Sequence, residues 1–135
     1  MIASTWQPNA LGVTPRGRYV NPRSGDGGVG ASAQASDDGK TVVVRLTNMG
    51  MSAATVELVV PGFSGGASKP VTWTLQSVGY DGKVDTDGAN PPADPTKISP
   101  QKGGADIGIG QGVANKGGDR VPVPAFSYIV VEYKL

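Results

Sequence analysis

Hydrophobic and polar residues alternate over the first half of the chain in the pattern of half-buried β-strands. Residues 29–36 alternate Val and Ala with Gly, Ser and Gln, and residues 41–48 place Val42, Val44 and Leu46 on one face. The sequence between them, Asp-Asp-Gly-Lys, has glycine where a hairpin turn needs a positive φ. The two segments are therefore predicted to be antiparallel neighbours.

Residues 54–60 and 71–78 predict two more strands with the same period of two. Apolar side chains occupy alternate positions in both segments, and a Pro-Gly pair ends the first. In the second, Trp73 stands between Val71 and Leu75 on one face. This setting favours a place in the core for Trp73.

Residues 125–133 predict a terminal strand that is apolar on both faces. Phe126, Tyr128 and Val130 occupy one face, and the other holds Ser127, Ile129, Val131 and Tyr133. A strand covered on both faces takes a central position in its sheet, so Phe126 and Tyr128 are also expected in the core. Residues 107–113 have glycines between their apolar positions, which weakens a strand prediction there.

Two stretches follow neither hydrophobic period. Residues 1–28 mix Gly, Pro, Asn and Arg, and we interpret them as an irregular lead-in or linker before a domain at residues 29–135. Residues 79–104 predict a long irregular connection, with four prolines in residues 91–100 that favour extended backbone.

The overall pattern predicts an all-β protein. The 135 residues are the size of one domain, and 21 Gly and 11 Pro with only 17% charged residues suit many short strands joined by tight turns. No helical period and no internal repeat is present. We expect a two-sheet antiparallel β-sandwich of about 7–9 strands, with either a jelly-roll or an immunoglobulin-like strand order.

Charge and hydropathy disfavour two classes of partner. Twelve basic and eleven acidic residues leave a net charge of +1, without a basic cluster along one face, so neither nucleic acid nor an anionic membrane is expected as a partner. No apolar run approaches the roughly 20 residues of a membrane helix.

Catalysis by this chain is not expected. Without histidine or cysteine, the usual general base, the Ser-His and Cys-His nucleophile pairs and most zinc sites are excluded. Carboxylates remain, and a glycosidase needs two of them roughly 5–10 Å apart. Four of the Asp residues stand directly before glycine, where turn geometry accounts for them.

An acidic turn at residues 81–90 is the sharpest candidate metal site. Asp85, Asp87 and neighbouring carbonyls offer the oxygen ligands that Ca²⁺ prefers. No glutamate closes the loop, and Lys83 places a competing cation inside it. A solvated acidic turn is the alternative interpretation, and no other cofactor is expected.

Aromatic side chains outside the strands are candidates for stacking on sugar rings, whose C–H faces are apolar. Tyr80 lies beside the acidic turn, with Asp81 and Asn90 as nearby polar groups, and Trp6 lies in the lead-in. These four residues form the predicted ligand-binding set.

The order of several segments resembles a known family. These are a strand ending in Asn48, the strand at residues 54–60, an Asn-x-Pro-x-x-Pro-x-x-Ile-x-Pro segment at residues 90–100, and a closing strand at residues 123–133 introduced by a proline and a serine. The order is similar to the C-terminal β-sandwich that accompanies the catalytic barrel in α-L-arabinofuranosidases and heparanase-like glycosidases.

The resemblance implies a non-catalytic accessory domain of a secreted, extracellular glycoside hydrolase. The catalytic glutamates of that family lie on the barrel, whereas Glu57 and Glu132 here fall in predicted strands. The expected partner is a glycosidase catalytic domain or a polysaccharide, either a hemicellulose or a β-glucan. A separate carbohydrate-binding module and a self-assembling structural sandwich remain as alternatives.

Overall fold

The computed structural model describes residues 5–14, 29–50, 52–68, 70–76, 101–103, 106–113 and 117–135. Within these residues, two antiparallel sheets form the predicted all-β sandwich. One sheet has six strands in the order β1-β2-β3-β8-β5-β6, and the other pairs β4 with β7. The strands are β1 (Asn9–Leu11), β2 (Val29–Ala35), β3 (Thr41–Asn48), β4 (Ala54–Leu58), β5 (Val71–Gln76), β6 (Gln101–Lys102), β7 (Asp119–Val123) and β8 (Ser127–Lys134).

The β2–β3 hairpin forms as predicted. The Ser36 amide donates to the Thr41 carbonyl at 2.9 Å, and Gly39 takes a φ of 69° in the turn. The Asp38 carboxylate accepts hydrogen bonds from the Ser36 hydroxyl at 2.6 Å and the Lys40 amide at 3.0 Å. These bonds, the Ser36 bond above all, lower the pKa of Asp38 because they stabilise its ionised form.

β8 occupies the central position that its two apolar faces predict. It pairs with β3 from Lys134 opposite Thr41 to Ser127 opposite Asn48, and with β5 on its other side. Both backbone edges of β8 are therefore used within the sheet.

The hydrophobic core lies between the inner faces of the two sheets. The rings of Phe63 and Tyr133 meet edge to face, with centroids 6.4 Å apart and planes at 68°. Burial of each side chain of this size contributes about 1.5–3 kcal/mol. The buried cluster draws on both sheets and comprises Val29, Val42, Val44, Leu46, Val56, Leu58, Phe63, Val121, Val123, Ile129, Val131 and Tyr133.

Trp73 is not in this core, contrary to the sequence prediction. Thr72 is buried and pairs with the core residue Val131, whereas Trp73 pairs with Val130 and is only half-buried. Alternate residues of a strand point to opposite faces, so Trp73 lies on the outer face of the six-stranded sheet. Periodicity separates the two faces of a strand without showing which one meets the other sheet.

The sequence prediction that Phe126 and Tyr128 lie in the core is also wrong. Phe126 lies in the turn between β7 and β8 with a φ of 47°, and it is half-buried. Tyr128 is half-buried beside Leu75 on the outer face. Two aromatic residues that the pattern did not distinguish, Phe63 and Tyr133, fill the core instead.

β7 is a strand that the hydrophobic pattern did not predict. Pro122 interrupts it and stands opposite Thr55 of β4. Proline lacks an amide donor, and sheets tolerate it where one side of a strand needs no donor. Among the described strands β7 pairs only with β4, which is consistent with this rule.

The predicted lead-in contributes a strand to the sheet. β1 pairs with β2, from Asn9 opposite Ala35 to Leu11 opposite Ala33. The domain boundary at residue 28 stays a prediction. In the described part of the chain, no helix has the length and hydropathy required to cross a bilayer.

Candidate functional site

The best candidate for an interaction surface lies on the outer face of the six-stranded sheet. Val71, Trp73 and Leu75 of β5 share this face, and Leu75 pairs with Tyr128 of β8. All four side chains are half-buried, so each keeps apolar surface accessible. We call these four residues the β5 face.

A lysine adds positive charge to the β5 face. Lys102 of β6 pairs with Trp73, and its Nζ atom lies 6.0 Å from the centroid of the indole ring. An ammonium group at this distance is attracted to the ring electrons. The face therefore combines aromatic surface with the positive charge of Lys102.

An open groove of about 370 Å³ lies at the edge of the sheet beside β5 and shares Val71 with the β5 face. Its polar side chains are Thr72, Lys102 and Asp106, and the rest of its lining is mostly apolar. A groove with few polar groups suits an apolar side chain or the C–H face of a sugar. Its lining comprises Pro70, Val71, Thr72, Lys102, Gly103, Asp106, Ile107 and Ile109.

The centre of the same outer face is closed. Val43 and Val130 are fully buried there although they do not belong to the core between the sheets. Arg45 and Glu132 are buried beside them, and Glu132 forms an ion pair with the exposed Lys134 at 3.3 Å. Accessible apolar surface on this face is therefore found toward β5.

Asp119 is a buried carboxylate with a structural role. It has no exposed surface, and its Oδ1 atom accepts hydrogen bonds from the amides of Gly65 at 2.9 Å and Gly110 at 2.8 Å. The Tyr133 hydroxyl donates to Oδ2 at 2.7 Å. Burial, followed by this contact with Asp119, raises the pKa of Tyr133 and keeps its hydroxyl a donor.

Asn48 joins the two sheets where β3 ends. Its Nδ2 group donates to the carbonyls of Ser52, Val123 and Pro124 at 3.0–3.2 Å, and its Oδ1 atom accepts from the Gly50 amide at 2.9 Å. The asparagine that ends this strand in the family resemblance therefore satisfies buried backbone groups here.

The structure places one of the predicted site residues. Trp6 is 59% exposed, so its indole is available for stacking. The other ligand-binding candidates and the proposed calcium ligands lie outside the described residues, as does the proline segment. These are Tyr80, Asp81, Asp85, Asp87, Asn90 and residues 90–100.

Several described carboxylates are engaged in structural contacts. Glu57 accepts a hydrogen bond from the Val113 amide, and Asp37 accepts one from the Asn9 side chain at 3.0 Å. Within the part of the chain that the structure describes, no group of three or more acidic side chains is placed to hold a metal ion.

Sequence reasoning missed the β5 face because it assigned Trp73 to the core. The alternation along β5 was the available signal. It correctly grouped Val71, Trp73 and Leu75 on one face, but the prediction turned that face toward the core. No sequence signal placed Lys102 above Trp73, because that contact depends on pairing between β5 and β6. Asp119 likewise became visible only through its contacts.

Comparison with solved structures finds the same fold in arabinofuranosidases. The thermostable GH51 α-L-arabinofuranosidase of Thermotoga petrophila matches 77% of this chain at 21% identity with a TM-score of 0.56. The α-L-arabinofuranosidase of Thermotoga maritima matches 79% at 21% identity with a TM-score of 0.55. The GH51 arabinofuranosidase of Xanthomonas axonopodis pv. citri matches 78% at 24% identity with a TM-score of 0.53.

The chain spans 18–19% of the length of these three solved structures. No protein-family model matches the chain, and no curated protein matches it. At this level of identity, the similarity shows a shared β-sandwich fold.

Proposed function

We propose that this protein is a non-catalytic β-sandwich accessory domain of an extracellular, polysaccharide-degrading glycoside hydrolase. The observation that carries the proposal is the match of most of this chain to a minor part of several arabinofuranosidases. In this role the sandwich supports a catalytic barrel, which supplies the catalytic glutamates.

The β5 face is the surface proposed to contact the barrel. Trp73 and Tyr128 belong to the aromatic residues that contribute most to binding when they are buried at the centre of an interface. The adjoining groove gives the partner a recess for an apolar side chain, and Lys102 favours carboxylates on the opposing surface.

Direct carbohydrate binding is the second candidate function, and the exposed Trp6 is the observation that favours it. A flat, accessible indole stacks on the apolar face of a sugar ring and needs little reorganisation to do so. Polysaccharide binding centred on Trp6 requires no barrel, so the two functions are separable by experiment.

The test uses the full chain and two aromatic variants, Trp73→Ala and Trp6→Ala. Binding is measured by calorimetry to an arabinofuranosidase catalytic barrel separated from its own β-sandwich. Retardation on arabinoxylan, xylan, β-glucan and cellulose is measured by affinity electrophoresis, with calcium and with chelator. Circular dichroism verifies that both variants keep the fold.

The accessory function predicts that the chain binds the barrel and that Trp73→Ala weakens this binding about tenfold or more, whereas Trp6→Ala leaves it unchanged. Retardation on a polysaccharide that Trp6→Ala abolishes supports the binding-module function instead. If the chain binds neither barrel nor polysaccharide, both functions are wrong, and sedimentation velocity then tests self-assembly.

A further inference from the structure

Residues 5–11 run from the outer face of the six-stranded sheet to the free side of β2. At one end, Thr5 is 1% exposed and lies against Arg45. At the other end, β1 pairs with β2 through three exposed residues. We call residues 5–11 the N-terminal strap.

Polar contacts hold the buried end of the strap. The Arg45 Nη2 group donates to the Thr5 carbonyl at 3.1 Å and to the Thr5 hydroxyl at 3.3 Å. Its Nη1 group donates to Oε1 of Gln34 at 2.7 Å, and the Gln7 amide donates to the same oxygen at 3.3 Å. These bonds join the strap to β2 and β3, and we call the contact between Thr5 and Arg45 the latch.

The strap leaves part of its apolar surface exposed. Trp6 is 59% exposed, and Leu11 is also exposed. Asn9 anchors the other end through bonds to the Ala35 carbonyl at 3.3 Å and to Asp37 at 3.0 Å. A segment at the side of a sheet that is held by polar bonds and keeps apolar side chains partly exposed belongs to the parts of a protein that open most easily.

β2, the strand that the strap covers, lacks the residues that usually protect an exposed strand edge. β2 contains neither a charged residue nor a proline, and most of its side chains are small. Exposed strand edges of this kind pair readily with other extended chains, and natural proteins commonly cover them. The position of β1 on Ala33–Ala35 supplies that cover.

We propose that the N-terminal strap opens as one unit while the sandwich stays folded, with the contact between Thr5 and Arg45 as its latch. Opening uncovers the edge of β2 and the Arg45 guanidinium at the same time. The strap is therefore a conformational device that controls access to this edge of the sheet.

Hydrogen exchange of single amides in the full chain, followed by NMR, tests the proposal. Alternate amides of an antiparallel strand point to opposite neighbours. Because the Ser36 amide bonds to Thr41 on the β3 side, the amides of Ala33 and Ala35 point toward β1. The amide of Gln34 points toward β3 and serves as an internal control.

The decisive variant is Thr5→Val, which removes the hydroxyl acceptor of the latch and nearly keeps the shape of the side chain. Unit opening predicts that exchange at Ala33 and Ala35 accelerates about fivefold or more, whereas Gln34 keeps its rate. Thr55→Val makes the same chemical change at an exposed site on β4 and is expected to change none of the three rates.

The proposal is overturned if Thr5→Val leaves Ala33 and Ala35 unchanged, because β1 then frays independently of the latch. It is also overturned if all three amides accelerate equally, because exchange then requires opening of the whole domain. Arg45→Lys provides a second variant that retains the charge and loses the two-pronged donor geometry.

Discussion

Asp119 shows how a single buried side chain connects distant parts of this protein. Its carboxylate binds the amides of Gly65 and Gly110, which belong to separate turns, and the hydroxyl of Tyr133 on β8. A buried carboxylate without donors is strongly destabilising, so these three bonds make its burial possible. They also fix the two turns against the core.

We expect Asp119→Asn to lower the free energy of unfolding by about 2–4 kcal/mol. The amide keeps one acceptor oxygen and places an NH₂ group toward either the glycine amides or the tyrosine. Tyr133→Phe removes a single hydrogen bond and is expected to cost about 1–2 kcal/mol.

Urea denaturation of both single variants and the double variant measures these costs. The double variant is expected to be less destabilised than the sum of the two, because the side chains share one hydrogen bond. A change below about 0.5 kcal/mol for Asp119→Asn would show that Asp119 does not hold the turns.

At the scale of elements, turn geometry determines how the strands meet. Gly39 in the β2–β3 hairpin and Gly65 before β5 both take a positive φ, 69° and 77°, in which other residues are strained. Their surroundings differ. A Cβ atom on Gly39 has open space, whereas one on Gly65 lies 3.1 Å from the carbonyl oxygen of Gly117.

Alanine at the two positions separates backbone strain from crowding. Gly39→Ala is expected to cost about 1 kcal/mol of unfolding free energy through backbone strain alone. Gly65→Ala adds a contact of 3.1 Å with the Gly117 carbonyl oxygen, which is tighter than ordinary van der Waals contact, and about 2–3 kcal/mol is expected. Thermal or urea unfolding measures both, and equal costs would contradict the crowding at Gly65.

At the scale of the molecule, the two sheets depend on one core. Leu46 of β3 and Val121 of β7 are both fully buried and belong to the same cluster. The two-stranded sheet has too few strands for independent stability, so its packing on the larger sheet stabilises it.

Leu46→Ala and Val121→Ala are therefore expected to lower the midpoint of a single unfolding transition. Leu46→Ala is expected to cost about 3 kcal/mol of unfolding free energy and Val121→Ala about 2 kcal/mol. Neither variant is expected to change the slope of the unfolding free energy against urea concentration. Val59→Ala, at an exposed position after β4, serves as the control with a cost below about 0.5 kcal/mol. Loss of cooperativity in Val121→Ala would show that the sheets unfold separately.

Much of the fold was predictable from particular residues. The alternation in residues 29–48 and the Asp-Gly turn predicted the β2–β3 hairpin, and the two apolar faces of β8 predicted its central position. β7 was not predictable from pattern, because Pro122 interrupts it. The short β1 and β6 carry too few residues to show a period.

The candidate site was much less predictable than the fold. Trp6 is exposed, and whether it binds a ligand stays a prediction. The β5 face and the Arg45 latch arise from contacts between segments far apart in the chain, for example Thr5 with Arg45. Such contacts leave no local signal in the sequence.

The sequence by itself determined that this protein is an antiparallel β-sandwich, because a period of two and glycine turns are local properties of the chain. Only the tertiary structure decided which face of each strand is buried. If β5 were turned over, Trp73 would face the core and Thr72 the outer side, and the alternation along the strand would be the same. The face that is buried therefore depends on packing against the second sheet. Packing also decides which charged side chains are buried and which aromatic residues stay accessible to a partner.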